Sequence, residues 1–286
     1  MRITDFELYK DILIERSGLT LSPDKSYLLD SRLTPIAKKW GYETMDALSA
    51  ALRGVPEPGL VDDVVEAMTT NETSFFRDKR PFDTFQETLL PYMIETRARR
   101  KSLRIWSAAC SSGQEPYSLS MLINDIEHQL AGWRIEITGT DISREILQKA
   151  QAGDYSQFEV QRGLPIQLLM KFFEQHDSGW KIKDEIRKTV DYKYFNLLDN
   201  MAPLGVFDIV YCRNVLIYFD EKTKADVLSR IAQQLEPDGI LCLGGAETVL
   251  GITDIFKPIP GLRGVYCKSS HTHALENKVS AGVAQA

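Results

Sequence analysis

The chain has 286 residues, of which 43% are apolar and 26% charged, a composition typical of one large or two modest globular domains. Its formal net charge of −6 argues against a general nucleic-acid binder, and its scattered cysteines and histidines lack metal-ligand spacing, so no metal site is expected. The acidic N-terminal residues do not suit a signal peptide, and no apolar run is long enough to span a bilayer. We therefore expect a soluble, cytoplasmic protein that is not inserted in a membrane.

Residues 1–75 are predicted to form an all-helical N-terminal domain. Apolar residues at helical spacing indicate a first helix that stops near Gly18 and a second from about Lys25 to Trp40. Two shorter helices are predicted around residues 45–52 and 60–68.

Basic residues mark one side of the second predicted helix. Lys25, Arg32 and Lys39 recur every seven residues, and Lys38 lies beside them. A solvated helix face is the simplest explanation of such a stripe. The alternative is a docking surface for an acidic helix, which would stand out in a chain that is acidic overall.

The polar segment Asn71–Asp78 contains two aromatic residues and connects the helical region to the rest of the chain. Its hydroxyl and amide groups could simply cap a helix. Residues 76–102 are predicted to be a linker, most of it a helix over 80–101 with apolar residues along one face.

From residue 103 to about 268, strands alternate with helices, the pattern of a parallel sheet covered on both faces. The stretch LRIWSAACSSGQEPYSLSMLI predicts a buried strand, a small-residue turn and a helix that begins near Glu115. The turn has a single glycine, where a dinucleotide fingerprint has several, and Glu115 would repel a pyrophosphate. A zwitterionic cofactor such as S-adenosylmethionine (SAM) fits better, although an ordinary turn followed by an acidic first-turn residue also explains the pattern.

Polar residues follow the later strands of this region. The second strand ends at Asp141, which either binds a ribose or caps the next helix, and its separation from the first turn favours the ribose. Residues 151–190 break the alternation and predict a small antiparallel β insertion. Further strands end at Asn196-Leu197 and Arg213-Asn214, and the segment 269–286 is expected to be a disordered tail.

Five motifs, in this order, resemble the CheR family of chemotaxis methyltransferases, which methylate glutamates on bacterial chemoreceptors. They are NETSFFRD, SAACSSGQEPYSLSM, GTDIS, FNLL and CRNVLIYFD. The resemblance extends to about residue 268. It implies a class I SAM-dependent methyltransferase, with a Rossmann-like α/β sheet domain, a small antiparallel β insertion and an all-helical N-terminal domain before it. SAM would be the methyl donor and S-adenosylhomocysteine the product, without a metal.

The resemblance also implies roles for individual residues. Arg77 and Tyr218 would flank the methyl group and the incoming carboxylate. The residues expected to bind SAM are Asn71, Thr73, Arg77, Glu115, Asp141, Asn196, Leu197, Arg213 and Asn214. Simpler explanations are a buried polar group at a strand end for Asn214 and a core aromatic residue for Tyr218.

The implied partners are the cytoplasmic methylation regions of transmembrane chemoreceptors, with a regulatory protein as a further possibility and no nucleic acid. The helical domain would dock the receptor, which would associate the protein with receptor arrays. One departure concerns the β insertion, where the turn Glu174–Gly179 is shorter than the glycine-rich loop that grips a receptor-tethered peptide in some members. We therefore expect recognition of receptors without such a peptide.

The implied chemistry is simple, because a glutamate side chain is already ionised at neutral pH and needs no general base. Three alternatives remain open on the sequence. One is a non-catalytic regulator that binds SAM or its product on the same fold. Another is a methyltransferase for RNA or a small molecule, and the last is a dehydrogenase, which the missing glycines disfavour.

Overall fold

The computed structural model of the protein describes residues 3–271 and 274–275. Of the predicted tail 269–286, residues 272–273 and 276–286 lie outside the described residues. Within the described part of the chain, no helix has the length and apolar character needed to cross a membrane.

The described residues form twelve α-helices and ten strands. The helices are α1 (Ile3–Ser17), α2 (Tyr27–Lys39), α3 (Met45–Arg53), α4 (Leu60–Met68), α5 (Arg80–Thr84), α6 (Leu90–Thr96), α7 (Gln114–Asn124), α8 (Arg144–Ala152), α9 (Gln157–Gln161), α10 (Ile166–Phe172), α11 (Asp184–Arg187) and α12 (Glu221–Gln233). The strands are β1 (Ser102–Ala108), β2 (Arg134–Asp141), β3 (Asp154–Tyr155), β4 (Phe173–His176), β5 (Gly179–Ile182), β6 (Val190–Tyr194), β7 (Phe207–Cys212), β8 (Leu235–Leu243), β9 (Phe256–Pro258) and β10 (Val265–Lys268).

Seven strands form the main sheet in the order β6-β2-β1-β7-β8-β10-β9. The first five run parallel, β10 is antiparallel to β8, and β9 is antiparallel to β10. The chain moves from β1 towards β6 on one side and later returns to β7 on the other, so the sheet has a switch point at β1. Ligands of open α/β sheets bind outside the carboxyl ends of the strands at such a point.

Side chains along β1 alternate between two cores because successive residues of a strand point to opposite faces. Ile105 belongs to the core covered by α7 and the insertion, whereas Trp106 belongs to the core covered by α12. A separate third core, which includes Tyr9 and Leu33, lies among helices α1 to α4. The smaller sheet has the order β3-β5-β4 and is the predicted antiparallel insertion.

Several helices begin at a side-chain cap. Thr44 accepts a hydrogen bond from the backbone of Ala47 at the start of α3, and Ser143 accepts one from Ile146 at the start of α8. Ser156 and Glu159, three residues later, form a capping box at the start of α9.

The structure corrects several predicted bounds. Lys25 ends a separate 3-10 turn, Pro23–Lys25, so the second helix begins later than predicted. The linker helix ends at Thr96 and contains a π-helical turn, Phe85–Leu89, between α5 and α6. Strand β9 was not predicted.

Candidate active site

A cleft opens where the carboxyl ends of three adjacent strands meet. Ala108 at the end of β1 is level with Thr140 in β2 and with Cys212 at the end of β7. All ten residues for which a cofactor or catalytic role was predicted line this cleft. The structure therefore brings them together, while their individual roles remain predictions.

The turn between β1 and α7 has an unusual backbone. Ala109, Ser111 and Gly113 have φ angles of 56°, 50° and 92°, all in the left-handed region. Residues other than glycine rarely adopt this conformation, and it is concentrated at functional sites. A Cβ atom on Gly113 would lie 2.5 Å from the hydroxyl oxygen of Tyr192, so this position requires glycine for space as well as for conformation.

Asp141, at the end of β2, connects this turn to the next one. Its Oδ2 accepts a hydrogen bond from the backbone N–H of Ser111 at 2.8 Å, and its Oδ1 accepts one from Ser143 at 3.0 Å. Burial raises the pKa of Asp141, although the backbone N–H groups of Ser143 and Ser111 act in the opposite direction. Ser143, not Asp141, is the N-cap of α8. Asp141 is therefore a buried, positioned acceptor at the cleft rather than a helix cap.

Glu115, at the start of α7, forms an ion pair inside the cleft wall. One of its oxygens accepts a hydrogen bond from the Ser107 hydroxyl and the other from Arg213, both at 2.8 Å. The Arg213 side chain is only 1% exposed. Burial alone would lower the pKa of Arg213, but the attraction of Glu115 outweighs it and the pKa is raised, so the guanidinium stays charged.

Arg213 also fixes the segment that carries Arg77. Its Nη2 donates to the backbone carbonyl of Arg77 at 3.0 Å and to the carboxylate of Asp78 at 2.8 Å. Its Nε has no hydrogen-bond partner among the described residues. A buried polar atom without a partner beside the cleft would suit an additional acceptor, such as a ligand carboxylate.

The segment from Asn71 to Arg77 crosses the mouth of the cleft. Phe75 is fully buried and packs edge-on against Tyr155 at 5.0 Å. The Ser111 hydroxyl donates to the backbone carbonyl of Asn71 at 2.9 Å. Nη1 of Arg77 donates to the backbone carbonyl of Glu72 at 2.7 Å. Helix α5 begins without a side-chain cap, so the polar groups of this segment face the cleft instead of capping that helix.

The helical region also contributes to the cleft lining and contacts its other walls. The backbone N–H and the hydroxyl of Thr20 both donate to the carbonyl of Tyr218 at 2.8 Å. The Asn196 amide donates to the carbonyl of Arg16 at 2.6 Å. The sequence interpretation missed Thr20, because a single threonine after a helix carries no local signal of such a contact. It also missed Ser107 and Ser111, although both belong to the motif around the first turn.

The four residues of the predicted basic stripe lie in different environments. Arg32 donates from Nη1 to the backbone carbonyls of Met68 and Thr69, at 2.8 and 2.9 Å, and so completes the end of α4. Lys39 pairs with Asp63 at 2.7 Å. Lys25, Lys38 and Lys39 are exposed, and Lys25 precedes α2 whereas Lys38 and Lys39 lie in its last turn.

Two further observations bear on the chemistry. Burial raises the pKa values of the Cys110 and Cys212 thiols well above their ordinary value, which disfavours the reactive thiolate form. Among residues 3–271 and 274–275, no group of three or more metal-binding side chains could hold a metal ion.

The residues of the cleft fit SAM. Ile142, Phe195 and Leu197 provide apolar contact beside Asp141, as an adenosine needs. Glu115 and the unpaired Nε of Arg213 supply a negative and a positive group for the two charges of an amino acid.

Comparison with known proteins agrees with this geometry. Residues 71–265 match the family model described as CheR methyltransferase, SAM binding domain, and residues 4–69 match CheR methyltransferase, all-alpha domain. Chemotaxis protein methyltransferase Cher2 of Pseudomonas putida is 40% identical over 265 residues, which cover 91% of this chain and 96% of that protein. Chemotaxis protein methyltransferase 1 of Pseudomonas aeruginosa is 41% identical with the same coverage. Among solved structures, the plantazolicin methyltransferase BpumL in complex with SAH has a TM-score of 0.34 and 14% identity, covering 84% of this chain and 61% of that one.

Proposed function

The chain belongs to the CheR family of SAM-dependent methyltransferases, and we propose that it is a protein-glutamate O-methyltransferase acting on chemoreceptors. The products would be glutamate methyl esters and S-adenosylhomocysteine. The observation that carries the proposal is the placement of Arg77 and Tyr218 on the same cleft as the predicted SAM-binding residues. A receptor carboxylate entering this cleft would meet a cation and a phenol beside the methyl donor.

Bound SAM supplies a methyl group on a positively charged sulfur, an electrophile that needs no further activation. The chain's own contribution is to hold both reactants in line, which is a positioning effect. The acceptor carboxylate is ionised at neutral pH, so no residue has to remove a proton. The buried carboxylate of Asp141 would accept hydrogen bonds from the ribose hydroxyls.

Arg77 is proposed to orient the acceptor carboxylate. Its Nη1 is held by the backbone carbonyl of Glu72, which fixes one end of the guanidinium at the cleft. The negative charge of the acceptor is lost as the methyl group arrives. A very tight ion pair would therefore stabilise the ground state more than the transition state and would slow the reaction. We propose that Arg77 aligns the substrate without a strong preference for the transition state.

The β insertion supports the proposal that no receptor-tethered peptide is needed. Strands β4 and β5 pair His176 with Gly179, so only Asp177 and Ser178 form the turn between them. A two-residue connection is too short to form a glycine-rich loop. We propose that the protein recognises the methylation region of the receptors directly and acts at receptor arrays in the cytoplasm.

The test is to incubate the protein with methyl-labelled SAM and membranes that contain chemoreceptors, and then to treat the labelled receptor with mild alkali. Release of the label as volatile methanol would establish a carboxyl methyl ester. A label that resists alkali would contradict the proposed acceptor. SAM binding without receptor labelling, across several receptor sources, would favour the non-catalytic regulator.

The same assay tests Arg77 through a pair of variants. Arg77→Ala is expected to lose about a hundredfold in methylation rate, because the acceptor is no longer aligned. Binding of S-adenosylhomocysteine should survive in part. Arg80→Ala removes an exposed arginine that does not line the cleft, and it should keep the wild-type rate. Undiminished methylation by Arg77→Ala would rule out this role.

A further inference from the structure

Glu247 follows β8 and collects four backbone hydrogen bonds on one carboxylate. Its Oε2 accepts from the N–H groups of Gly244 at 2.7 Å and Asn214 at 2.8 Å. Its Oε1 accepts from Val215 at 2.9 Å and Leu216 at 2.8 Å. The Glu247 residue is only 9% exposed, so these bonds are shielded from water.

The chemistry of this contact requires a carboxylate. An ionised carboxylate only accepts hydrogen bonds and has about four positions for them, all of which are used here. The N–H groups of Asn214, Val215 and Leu216 precede or begin the 3-10 turn Leu216–Tyr218, where a helical turn leaves its first donors without internal partners. In a Glu247→Gln variant, the side-chain NH₂ group would face two of these N–H groups, and a donor facing a donor forms no hydrogen bond.

The loop that Glu247 holds is a wall of the cleft. Asn214, Val215 and Tyr218 line the cleft, whereas Glu247 does not. Asn214 has a φ angle of 59°, a left-handed conformation that needs support from its surroundings. A Cβ atom on Gly244 would lie 2.9 Å from the side-chain nitrogen of Asn214 and 3.0 Å from its backbone nitrogen, so glycine allows the two loops to approach so closely.

The far end of the same loop is held by a different part of the chain. Thr20 binds the carbonyl of Tyr218, at the last residue of the 3-10 turn. The loop is therefore fixed at its beginning by Glu247 and at its end by the helical region. Of these two contacts, the one with Glu247 carries the charge and the larger number of hydrogen bonds.

We infer that Glu247 is a positioning residue, whose carboxylate fixes the loop Asn214–Leu216 so that Asn214 and Tyr218 face the bound cofactor and the acceptor. The part of this inference that concerns the acceptor rests on the proposed function. The part that concerns the cofactor does not, since it is measured by binding alone.

The test measures binding of S-adenosylhomocysteine by calorimetry, with thermal stability recorded in parallel. Glu247→Gln is expected to raise the dissociation constant of the folded protein about tenfold or more, because several charge-assisted bonds to the loop are lost. At saturating SAM, its methylation rate should also fall. A merely structural role would lower the melting temperature and leave the affinity of the folded fraction unchanged.

Asp220→Ala is the matched control. Asp220 also accepts a backbone N–H bond, from Thr223 at 2.7 Å, and caps α12 without lining the cleft. Its loss should lower the melting temperature and leave the affinity unchanged. If Glu247→Gln does not fold, Glu247→Asp retains the charge but withdraws it from the loop, and its weaker binding would support the inference.

Wild-type affinity in whichever Glu247 variant folds would overturn the inference. If the wild-type protein labels no receptor but Glu247→Gln still weakens binding, then the proposed function fails while this inference stands.

Discussion

Asp141 combines burial with a requirement for charge, which gives cofactor binding a defined pH dependence. Burial raises the pKa of Asp141, in spite of its backbone hydrogen bonds. The ionised carboxylate accepts from the backbone and would accept from the ribose hydroxyls, whereas the protonated form loses an acceptor position. Affinity should therefore be full above this raised pKa and should decline as the pH falls through it, at a higher pH than an ordinary aspartate would give.

This prediction is tested by measuring the dissociation constant of S-adenosylhomocysteine from about pH 8 down to about pH 4, close to the ordinary aspartate pKa of about 3.9. Asp141→Asn should bind more weakly and show a flat profile over this range. Asp220→Asn changes a carboxylate outside the cleft and should keep the wild-type profile. An Asp141→Asn profile parallel to that of the wild type would assign the dependence to another group.

At the scale of single elements, the turn between β1 and α7 depends on Gly113. Alanine at this position would suffer left-handed strain at a φ of 92° and a close contact with the buried Tyr192 hydroxyl. Gly41, at the end of α2, has a φ of 77°, but a Cβ atom added there would meet nothing within 4 Å. Comparing alanine variants at Gly41 and Gly113 therefore separates the cost of the left-handed backbone from the cost of the close contact.

Gly41→Ala is expected to lower the free energy of unfolding by about 1 kcal/mol, the typical cost of a left-handed alanine. Gly113→Ala should lose a further 1–3 kcal/mol or so from overpacking, and it should also weaken binding of S-adenosylhomocysteine. Urea denaturation and calorimetry measure the two effects. Equal stability and equal affinity in the two variants would show that the turn tolerates a side chain here.

Most of the fold was predictable because its elements carry their own signals. Parallel strands buried on both faces stand out as apolar runs, and α4 was predicted with the bounds that the structure gives. The α/β class, the antiparallel insertion and the SAM-binding family are confirmed. The short strand β9 was not predicted, because three residues cannot show a period.

The site was predictable where its residues follow strand ends, since parallel strands bring those ends to one edge of the sheet. Asp141 and Arg213 could be located in this way. Glu247 could not, because its partners at residues 214–216 are some thirty positions earlier in the chain and bind through their backbone. The contact of Arg32 could not be predicted for a related reason: helical spacing shows which residues share a side, but not that a carbonyl of another helix binds one of them.

At the scale of the whole molecule, the helical region and the sheet meet over the cleft and are held by polar contacts. Thr20 binds the carbonyl of Tyr218, and the backbone N–H of Arg144 donates to Glu66 at 2.9 Å. A receptor that docks on the helical region would therefore lie on a part of the protein that directly contacts the cleft wall. If a receptor docks there, the exposed charges of the helical region would affect methylation although they lie outside the cleft.

The proposed docking surface is tested at Lys25 and Lys38, two exposed lysines of the stripe. Lys39 is exposed as well but pairs with Asp63, and Arg32 binds backbone carbonyls at the end of α4. The double variant Lys25→Glu and Lys38→Glu should reduce receptor methylation about tenfold at low salt, because an acidic receptor helix would be repelled. The rate of the wild-type protein should fall as salt is added, since exposed charges are screened beyond about 8 Å at physiological ionic strength. Binding of S-adenosylhomocysteine should not change.

The control carries the same change in charge at the other end of the sheet. Lys101 and Arg134 are exposed beside the amino ends of β1 and β2, so Lys101→Glu with Arg134→Glu leaves the helical region and the cleft intact. If this pair reduces methylation as much as the Lys25 and Lys38 pair does, then net charge alone governs the encounter with the receptor. If neither pair has an effect, the receptor docks elsewhere. A loss confined to Lys25 and Lys38 would place an acidic receptor helix on the side of the molecule where Arg32 joins α2 to α4.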